Sequence, residues 1–305
     1  MSQHIKPPLS LPFDPNAYFA NLEAKRDAFM DSRDEIDTVI VGSSHGEYGF
    51  DPDHLDGSFN LGTASQDIRQ SASMYAWAAR RNRQLRRVIV FYSLFSYGFD
   101  CSRSSDHARC VFLRRAFGVR WDEDLDDLLW SIDLNARWPH QSLSPPAVLD
   151  RGFIRSNARD FFSEAPDALA RRVSRHVAMS EVQHQRADQL PHLAAIIALA
   201  KRRGDEVVVV VPPMRSDYLA ALPHGAPLFD KLRALCARGR VQLVEAFADS
   251  AFAWEDFGDP DHLYPAGEGP KKLAGLVRVR LASRRPARVG YVRALNHLRE
   301  AAGLA

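Results

Sequence analysis

The sequence predicts an α/β fold, a three-layer α/β/α sandwich with a central parallel sheet of about five strands and a helical insertion. Compact β-branched runs at residues 37–42, 88–92 and 206–211 indicate buried strands. Segments with helical periodicity lie between these runs, and strands that alternate with helices pair in parallel through right-handed crossovers. Hydrophobic residues make up 46% of the chain and charged residues 26%, as in folded globular proteins.

The elements follow in order along the chain. The first half predicts a helix at 17–30, strands at 37–42 and 58–62, a helix at 65–84 and a strand at 88–92. The second half predicts a helical segment at 179–203 interrupted near Pro191, strands at 206–211 and 241–244, and helices at 227–238 and 273–281. Gly204 is placed to end the first of these helices.

Three segments fall outside this alternation. Residues 1–35 form a proline-containing N-terminal arm with its short helix, and residues 285–305 are predicted to end in an amphipathic helix. Residues 99–178 interrupt the α/β domain of residues 36–284 with a mixed helical insertion. Because this insertion follows the strand at 88–92, we expect part of it to cover the carboxyl edge of the sheet, with Phe112, Arg114, Arg115 and the three tryptophans Trp121, Trp130 and Trp138 contributing to substrate choice. The alternative is that the insertion folds back against an outer helix and serves only for packing or as a dimer contact.

Composition excludes several classes of protein. Lys and Arg number 40 against 38 Asp and Glu, so a net charge of +2 does not favour nucleic-acid binding. Three scattered cysteines do not make a disulfide framework or a cysteine zinc site. We find no secretory signal pattern and no apolar run of about 18 residues. We therefore expect a cytoplasmic protein without a membrane span.

The first strand ends in a turn that can expose a serine. Gly42-Ser43-Ser44-His45-Gly46 combines a serine at a strand-to-helix turn with flanking glycines that permit a tight bend. A serine-rich loop that caps a helix or cradles a phosphate is the alternative interpretation. The segment also matches the G-x-S-x-G elbow of α/β-hydrolases, but its place after the first strand disfavours that fold. It does not match a dinucleotide-binding fingerprint.

A second pattern lies far downstream, at Asp259-Pro260-Asp261-His262. An aspartate three residues before a histidine can accept the Nδ1–H of the imidazole, which leaves Nε2 free to take a proton from a serine. A helix-capping aspartate beside an exposed histidine would give the same pattern. Asp261 is an alternative acid, less well aimed because it adjoins His262.

Taken together, these patterns resemble the SGNH (GDSL-like) hydrolase superfamily. Gly42-Ser43-Ser44 stands where that family has Gly-Asp-Ser, and Asn60-Leu61-Gly62 stands at its second block. Asp259 and His262, with Leu263 and Gly267, match its closing block. The serine in place of the family's aspartate, here Ser43, is also known in a branch that modifies cell-surface polymers.

The resemblance implies a serine esterase or acyl-transfer enzyme acting on O-acyl groups of a carbohydrate or surface-polysaccharide precursor. Ser44, His262 and Asp259 would be catalytic, and Gly62 with the Ser44 N–H would bind the oxyanion. The implied mechanism needs no metal and no redox cofactor. The family's third block reads Phe91-Tyr-Ser-Leu-Phe-Ser-Tyr-Gly98 and lacks its usual asparagine, so Ser93 or Ser96 is the candidate substitute. Asn60 and His45 are further candidates for lining the pocket.

Two other functions fit the same residues. An O-acetyltransferase using acetyl-CoA as acyl donor would need a basic surface near the pocket, and Arg80–Arg87 is the largest basic cluster. A catalytically silent domain that binds a glycan or a protein would explain the absent asparagine. The histidines His176, His184 and His192 recur every eight residues, an interval that drifts around a helix, so we expect surface residues and not metal ligands.

Overall fold

The computed structural model describes residues 15–104, 106–118, 149–154, 166–180, 188–223 and 229–283. Within them, one sheet contains five strands: β1 (Thr38–Val41), β2 (Ser58–Asn60), β3 (Arg87–Phe91), β6 (Glu206–Val211) and β7 (Gln242–Glu245). Their order is β2-β1-β3-β6-β7, and every pair is parallel. The predicted parallel sheet is confirmed.

Nine helices surround the sheet and its connections in the described part of the chain. They are α1 (Pro15–Ser32), α2 (Ser44–Gly49), α3 (Ile68–Arg81), α4 (His107–Phe117), α5 (Pro166–Ser180), α6 (Leu190–Arg203), α7 (Ser216–Ala220), α8 (Asp230–Gly239) and α9 (Gly269–Ser283). No helix among the described residues combines the length and apolar character of a membrane span.

Side-chain alternation along the strands builds a core on each face of the sheet. Val39 and Val41 face one core, together with residues of α1, α3, α4, α6 and α8. Ile40 faces the other core, together with Leu273 and Val277 of α9. The three-layer α/β/α architecture is thereby confirmed, and the β-branched runs are explained by burial on both faces.

The predicted interruption near Pro191 is confirmed. Residues 188 and 189 are not helical, and Pro191 lies in the first turn of α6, where the absence of its N–H costs no intrahelical hydrogen bond. The insertion, predicted to be helical, also contains a short antiparallel hairpin, β4 (Leu149–Asp150) with β5 (Phe153–Ile154). Strands of two residues are too short to leave a period in the sequence. Gly204 ends α6 in the left-handed conformation, as predicted.

Several predictions fall on residues outside the described ranges. These are Trp121, Trp130, Trp138, His184 and the helix at 285–305. The domain boundaries stay a prediction, although Phe29 of α1 packs against Phe59 and Trp77 and so joins the helix to the main core.

The chain reverses its direction of winding between β1 and β3. From β1 it runs outward to β2, and then it crosses to β3 on the other side of β1. A crevice forms outside the carboxyl ends of parallel strands at such a switch point. Gly42–Ser44 follow β1 and Ser93 follows β3, so both segments meet at this crevice.

Gly42 makes the turn after β1 possible. Its φ of +140° is rarely open to other residues, and a Cβ atom there would lie 2.6 Å from the Cβ of Phe91. The approach of these two backbones brings the end of β1 against the end of β3.

We expect Gly42→Ala to lower the free energy of unfolding by at least about 2 kcal/mol, because the new methyl group meets both a disfavoured φ and a filled space. Urea denaturation measures the change. Gly275→Ala is the matched control: apart from its chain neighbours and the nearby backbone of α9, no atom of the described residues lies within 4 Å of where a Cβ of residue 275 would stand, so alanine should be neutral or stabilising there. Equal stability of the two variants would contradict this role of Gly42.

Candidate active site

Ser44 begins α2 directly after the turn at Gly42. The Gly42 N–H donates to Gln66 Oε1 at 2.7 Å, and the Thr63 N–H donates to the Gly42 carbonyl at 3.0 Å. These bonds tie the turn to the loop after β2. Ser44 itself is partly exposed, whereas both of its neighbours are buried. Its N–H lies in the first turn of a helix, where no intrahelical acceptor is available.

The serine, histidine and aspartate selected from the sequence meet at this point. Ser44 Oγ lies 2.8 Å from His262 Nε2, and both carboxylate oxygens of Asp259 lie 3.0 Å from His262 Nδ1. The His262 and Asp261 N–H groups donate to Asp259 Oδ1, which fixes the carboxylate in place. Residues 218 positions apart in sequence thus form a Ser-His-Asp arrangement.

A second carboxylate flanks the same imidazole. Asp261 Oδ1 lies 3.7 Å from His262 Nδ1, and the aspartate is buried. Burial by itself would lower the pKa of His262, but the charges of Asp259 and Asp261 outweigh it and raise that pKa to about 9. Asp259 is thus the carboxylate within hydrogen-bond distance of His262 Nδ1, and Asp261 adds a second negative charge beside the same ring. Burial favours the neutral acid, yet the charge of His262 holds the pKa of Asp261 well below its usual range.

His45 packs behind the triad rather than lining the pocket. Its ring stacks on that of His262, with centroids 4.5 Å apart and planes 8° from parallel. Its Nδ1 lies 2.8 Å from Ser93 Oγ, and its Nε2 lies 3.3 Å from Asp261 Oδ2 without hydrogen-bond geometry among the described residues. Burial, with the neighbouring charge of His262, lowers the pKa of His45 and favours its neutral form. The ring is enclosed, which favours a packing role for His45, and a contact with substrate stays a prediction.

Asn60 and Gly62 are bound to each other. The Gly62 N–H donates to Asn60 Oδ1 at 2.9 Å, and Asn60 Nδ2 donates to the carbonyls of Gly46 and Phe50. Asn60 is fully buried and uses its amide to hold α2 against the end of β2, so these bonds favour a structural role, and a direct substrate contact stays a prediction. The Gly62 N–H, our candidate oxyanion donor, already has an acceptor in this arrangement.

Ser93 and Ser96 are also turned inward. Ser93 is fully buried, with its hydroxyl bonded to His45, and the Ser96 hydroxyl accepts a hydrogen bond from the Ser93 N–H at 2.9 Å. The Ser93 hydroxyl also lies 3.3 Å from the Ser43 hydroxyl. Both serine hydroxyls thus have partners within the protein, and their donation to an oxyanion stays a prediction. The Ser44 N–H remains the candidate donor that is placed beside the nucleophile.

The insertion contributes two residues that sequence analysis missed. Arg172 of α5 lies 2.5 Å from Asp261 Oδ1 and 3.4 Å from Asp259 Oδ2. His176, one turn further on, is buried, with its Nδ1 2.8 Å from the Tyr218 hydroxyl and 3.9 Å from Asp261 Oδ2. The expectation that His176 is a surface residue is wrong, since the helix turns this side chain toward Asp261. An i, i+4 spacing of Arg172 and His176 was the available signal.

Two residues that sequence analysis named in the insertion, Phe112 and Arg115, contact α1. Phe112 of α4 is buried and packs against Tyr18 and Phe19 of α1. Arg115 lies over the ring of Phe19. These contacts show α4 packing against α1, in line with the packing alternative for this part of the insertion.

A buried ion pair joins α1 to the site. Lys25 Nζ donates to the Gly62 carbonyl at 2.5 Å and lies 3.6 Å from Glu47 Oε1, and both side chains are buried. Burial lowers the pKa of Lys25 and raises that of Glu47, and each partner opposes the shift of the other. Lys25 thus fastens the loop at Gly62 and the helix that carries Ser44 to the N-terminal helix.

One cluster among the described residues has metal-ligand chemistry, namely His45, Asp261 and His262. Its two imidazoles are stacked, so the nitrogen lone pairs lie in parallel planes and do not converge on an ion about 2.1 Å from each. Both nitrogens of His262 also have partners, Asp259 and Ser44. This arrangement fits a charge network better than a metal centre. That no metal is needed stays a prediction.

We expect Lys25→Met to destabilise the protein by about 3 kcal/mol, because it leaves the Glu47 carboxylate buried without its partner. Chemical denaturation measures the loss. Lys25→Met/Glu47→Gln should recover part of it, because the charge is then absent from both sides. Lys271→Met, at an exposed position of α9, serves as control. A Lys25→Met protein as stable as this control would exclude the structural role.

Comparison with known proteins finds likeness to solved structures but no match in sequence. No protein-family model matches the chain, and no curated protein matches it. Among solved structures, the chain is similar to a Bacteroides fragilis protein described as a "putative acylhydrolase", at 11% sequence identity and a TM-score of 0.41. The alignment covers 87% of this chain and 98% of that one.

Proposed function

We propose that this protein is an acyl-ester hydrolase in which Ser44 is the nucleophile, His262 the general base and then acid, and Asp259 the residue that orients His262. The observation that carries the proposal is the continuous contact from Ser44 Oγ to His262 Nε2 at 2.8 Å and from His262 Nδ1 to Asp259 at 3.0 Å. A partly exposed hydroxyl bonded to an imidazole that a buried carboxylate orients is the arrangement that activates serine.

The reaction follows from these contacts. Ser44 Oγ attacks the carbonyl carbon of the ester while His262 Nε2 accepts the hydroxyl proton. The oxyanion that forms accepts a hydrogen bond from the Ser44 N–H. Collapse of this intermediate passes the proton from His262 to the leaving alcohol and leaves an acyl-serine. Water then attacks the acyl-serine with His262 as base, and the carboxylic acid and free Ser44 are released.

The finer identity of the substrate is also a proposal. An O-acylated carbohydrate is favoured by the resemblance of Gly42-Ser43-Ser44 to the branch that modifies surface polymers. Transfer of the acyl group to a sugar hydroxyl, in place of water, would use the same triad. Helix α5 of the insertion lies against residues 259–262, the catalytic loop, and exclusion of water there would favour transfer.

The basic cluster gives no support to acetyl-CoA as the acyl donor. Arg86 and Arg87 stand at the amino end of β3, whereas Ser44 follows the carboxyl end of the neighbouring parallel strand β1. The five residues of β3 separate these two edges by about 15 Å. Phosphates bound at Arg80–Arg87 would therefore lie at the amino edge of the sheet, opposite to the carboxyl edge that carries Ser44.

A second candidate is a catalytically silent binding domain. It is favoured by the state of the oxyanion donors: the Gly62 N–H is bonded to Asn60, and the Ser93 hydroxyl is bonded to His45. Among the described residues, this leaves the Ser44 N–H as the donor placed to bind the oxyanion. Each oxyanion donor that is lost lowers kcat by about 10²-fold or more. Covalent labelling separates this candidate from the enzyme.

We expect a fluorophosphonate probe to label the wild-type protein on Ser44, because the activated hydroxyl displaces fluoride from phosphorus. Ser44→Ala and His262→Ala should abolish labelling and lower the hydrolysis of a p-nitrophenyl ester by about 10³-fold or more, to a similar floor. Asp259→Asn should also impair both. Ser73→Ala, on α3, should behave as wild type. An unlabelled but folded wild-type protein would favour the silent domain.

The pH dependence of kcat/KM should reflect the raised pKa of His262. An ordinary imidazole would become a base near pH 6–7, but the pKa of His262 is about 9 because Asp259 and Asp261 stabilise the imidazolium. Only the neutral form accepts the Ser44 proton, so kcat/KM should rise about tenfold per pH unit until it levels near pH 9. A plateau already reached at pH 7 would contradict this electrostatic account.

A further inference from the structure

Two charged residues outside the Ser-His-Asp triad contact its acid and base. Asp261 is buried on the catalytic loop, with Oδ1 at 3.7 Å from His262 Nδ1. Arg172 of α5 approaches both carboxylates, at 2.5 Å from Asp261 and 3.4 Å from Asp259. The imidazole of His262 is therefore flanked by two negative charges that share one positive charge supplied by the insertion.

Asp261 is fixed from several sides. Its N–H donates to Asp259 Oδ1 at 2.9 Å, which couples the two aspartates through the backbone. Its Oδ2 lies 3.3 Å from His45 Nε2 and 3.9 Å from His176 Nδ1. Because it is buried and held in this way, its charge acts on His262 at a fixed distance and with little screening by solvent.

The charges of the cluster balance when His262 is protonated. Asp259 and Asp261 contribute two negative charges, and Arg172 with the His262 imidazolium contributes two positive ones. Burial keeps the two further histidines neutral: it lowers the pKa of His45 and brings that of His176 to about 3. Among the described residues, the groups around His262 include Asp259 and Asp261 on its own loop, and Ser44, His45 and Tyr48 on α2. Arg172 and His176 of α5 contact the aspartates, with Tyr218 of α7 beside His176.

We propose that Asp261 and Arg172 are positioning residues that hold His262 and set the pH range in which it can activate Ser44. The insertion helix α5, and not the α/β core alone, would then control the acid–base behaviour of the site. This inference rests on the proposed function for its catalytic consequence, but the charge balance around His262 can be measured without any substrate.

The two residues act in opposite directions. Removing the Asp261 charge takes away a group that stabilises the imidazolium, so His262 should lose its proton at lower pH. Removing the Arg172 charge takes away a group that destabilises the imidazolium, so His262 should lose its proton at higher pH. A purely structural role would not produce opposite shifts.

NMR titration of the His262 ring nitrogens tests the inference, with ¹⁵N-labelled protein and assignment by the missing signal in His262→Ala. Asp261→Asn should move the His262 midpoint down by about one pH unit or more, and Arg172→Gln should move it up. The alkaline limb of kcat/KM should follow in the same directions. Arg172→Lys, which keeps the charge, should stay nearer to wild type than Arg172→Gln.

Arg171→Gln is the matched control. Arg171 is the preceding residue of α5, largely exposed and paired with Asp167, so its removal should leave the midpoint unchanged. If Asp261→Asn does not fold, the comparison of Arg172→Gln with Arg172→Lys and Arg171→Gln decides. Midpoints that do not move, or that move in the same direction in both charge-removing variants, would overturn the inference. If the two variants shift the His262 midpoint in opposite directions but the wild-type protein is not labelled by fluorophosphonate, the inference about Asp261 and Arg172 holds and the proposed function fails.

Discussion

The buried histidine between two carboxylates is the interaction on which the arrangement of this site depends. His262 makes contact through Nε2 with Ser44 and through Nδ1 with Asp259, and Asp261 adds a second negative charge at 3.7 Å. Two buried carboxylates this close together are stable in a protein interior only when positively charged groups lie beside them. Arg172 and the protonated form of His262 itself provide those cations, which ties the geometry of the triad to its state of protonation.

Elements outside the sheet complete this arrangement. The switch point between β1 and β3 brings Ser44 to the crevice, but Lys25 of α1 fastens the neighbouring loop at Gly62 and helix α2 at Glu47. Arg172 of α5 supplies the cation that contacts both aspartates. The N-terminal helix and the insertion are thus joined to the site by buried charges, which is a stronger constraint than apolar packing because an unpaired charge is costly to bury.

Much of this organisation could be predicted from local sequence. The valine run of β6 and the β-branched run of β1 predicted strands that are buried on both faces of a parallel sheet. Gly42 predicted the tight turn after β1 that carries Ser44. The Asp259–His262 spacing indicated which carboxylate could orient the imidazole. Local patterns do not indicate which way a polar side chain turns. Asn60, Ser93 and His45 were expected at the pocket and are buried, while His176 was expected at the surface and faces the catalytic loop. Those outcomes depend on tertiary contacts between segments far apart in the chain.

The central claim is that Ser44 is a nucleophile, and trapping its acyl intermediate tests it most directly. An activated aryl ester should be mixed with the protein, quenched in acid within the first turnover and digested for peptide mass spectrometry. The account predicts the added mass of one acyl group on the peptide that contains Ser44, and none at that position in Ser44→Ala. A wild-type protein that hydrolyses the ester with its acyl group on another residue, or without any acyl-serine under these conditions, would contradict the account.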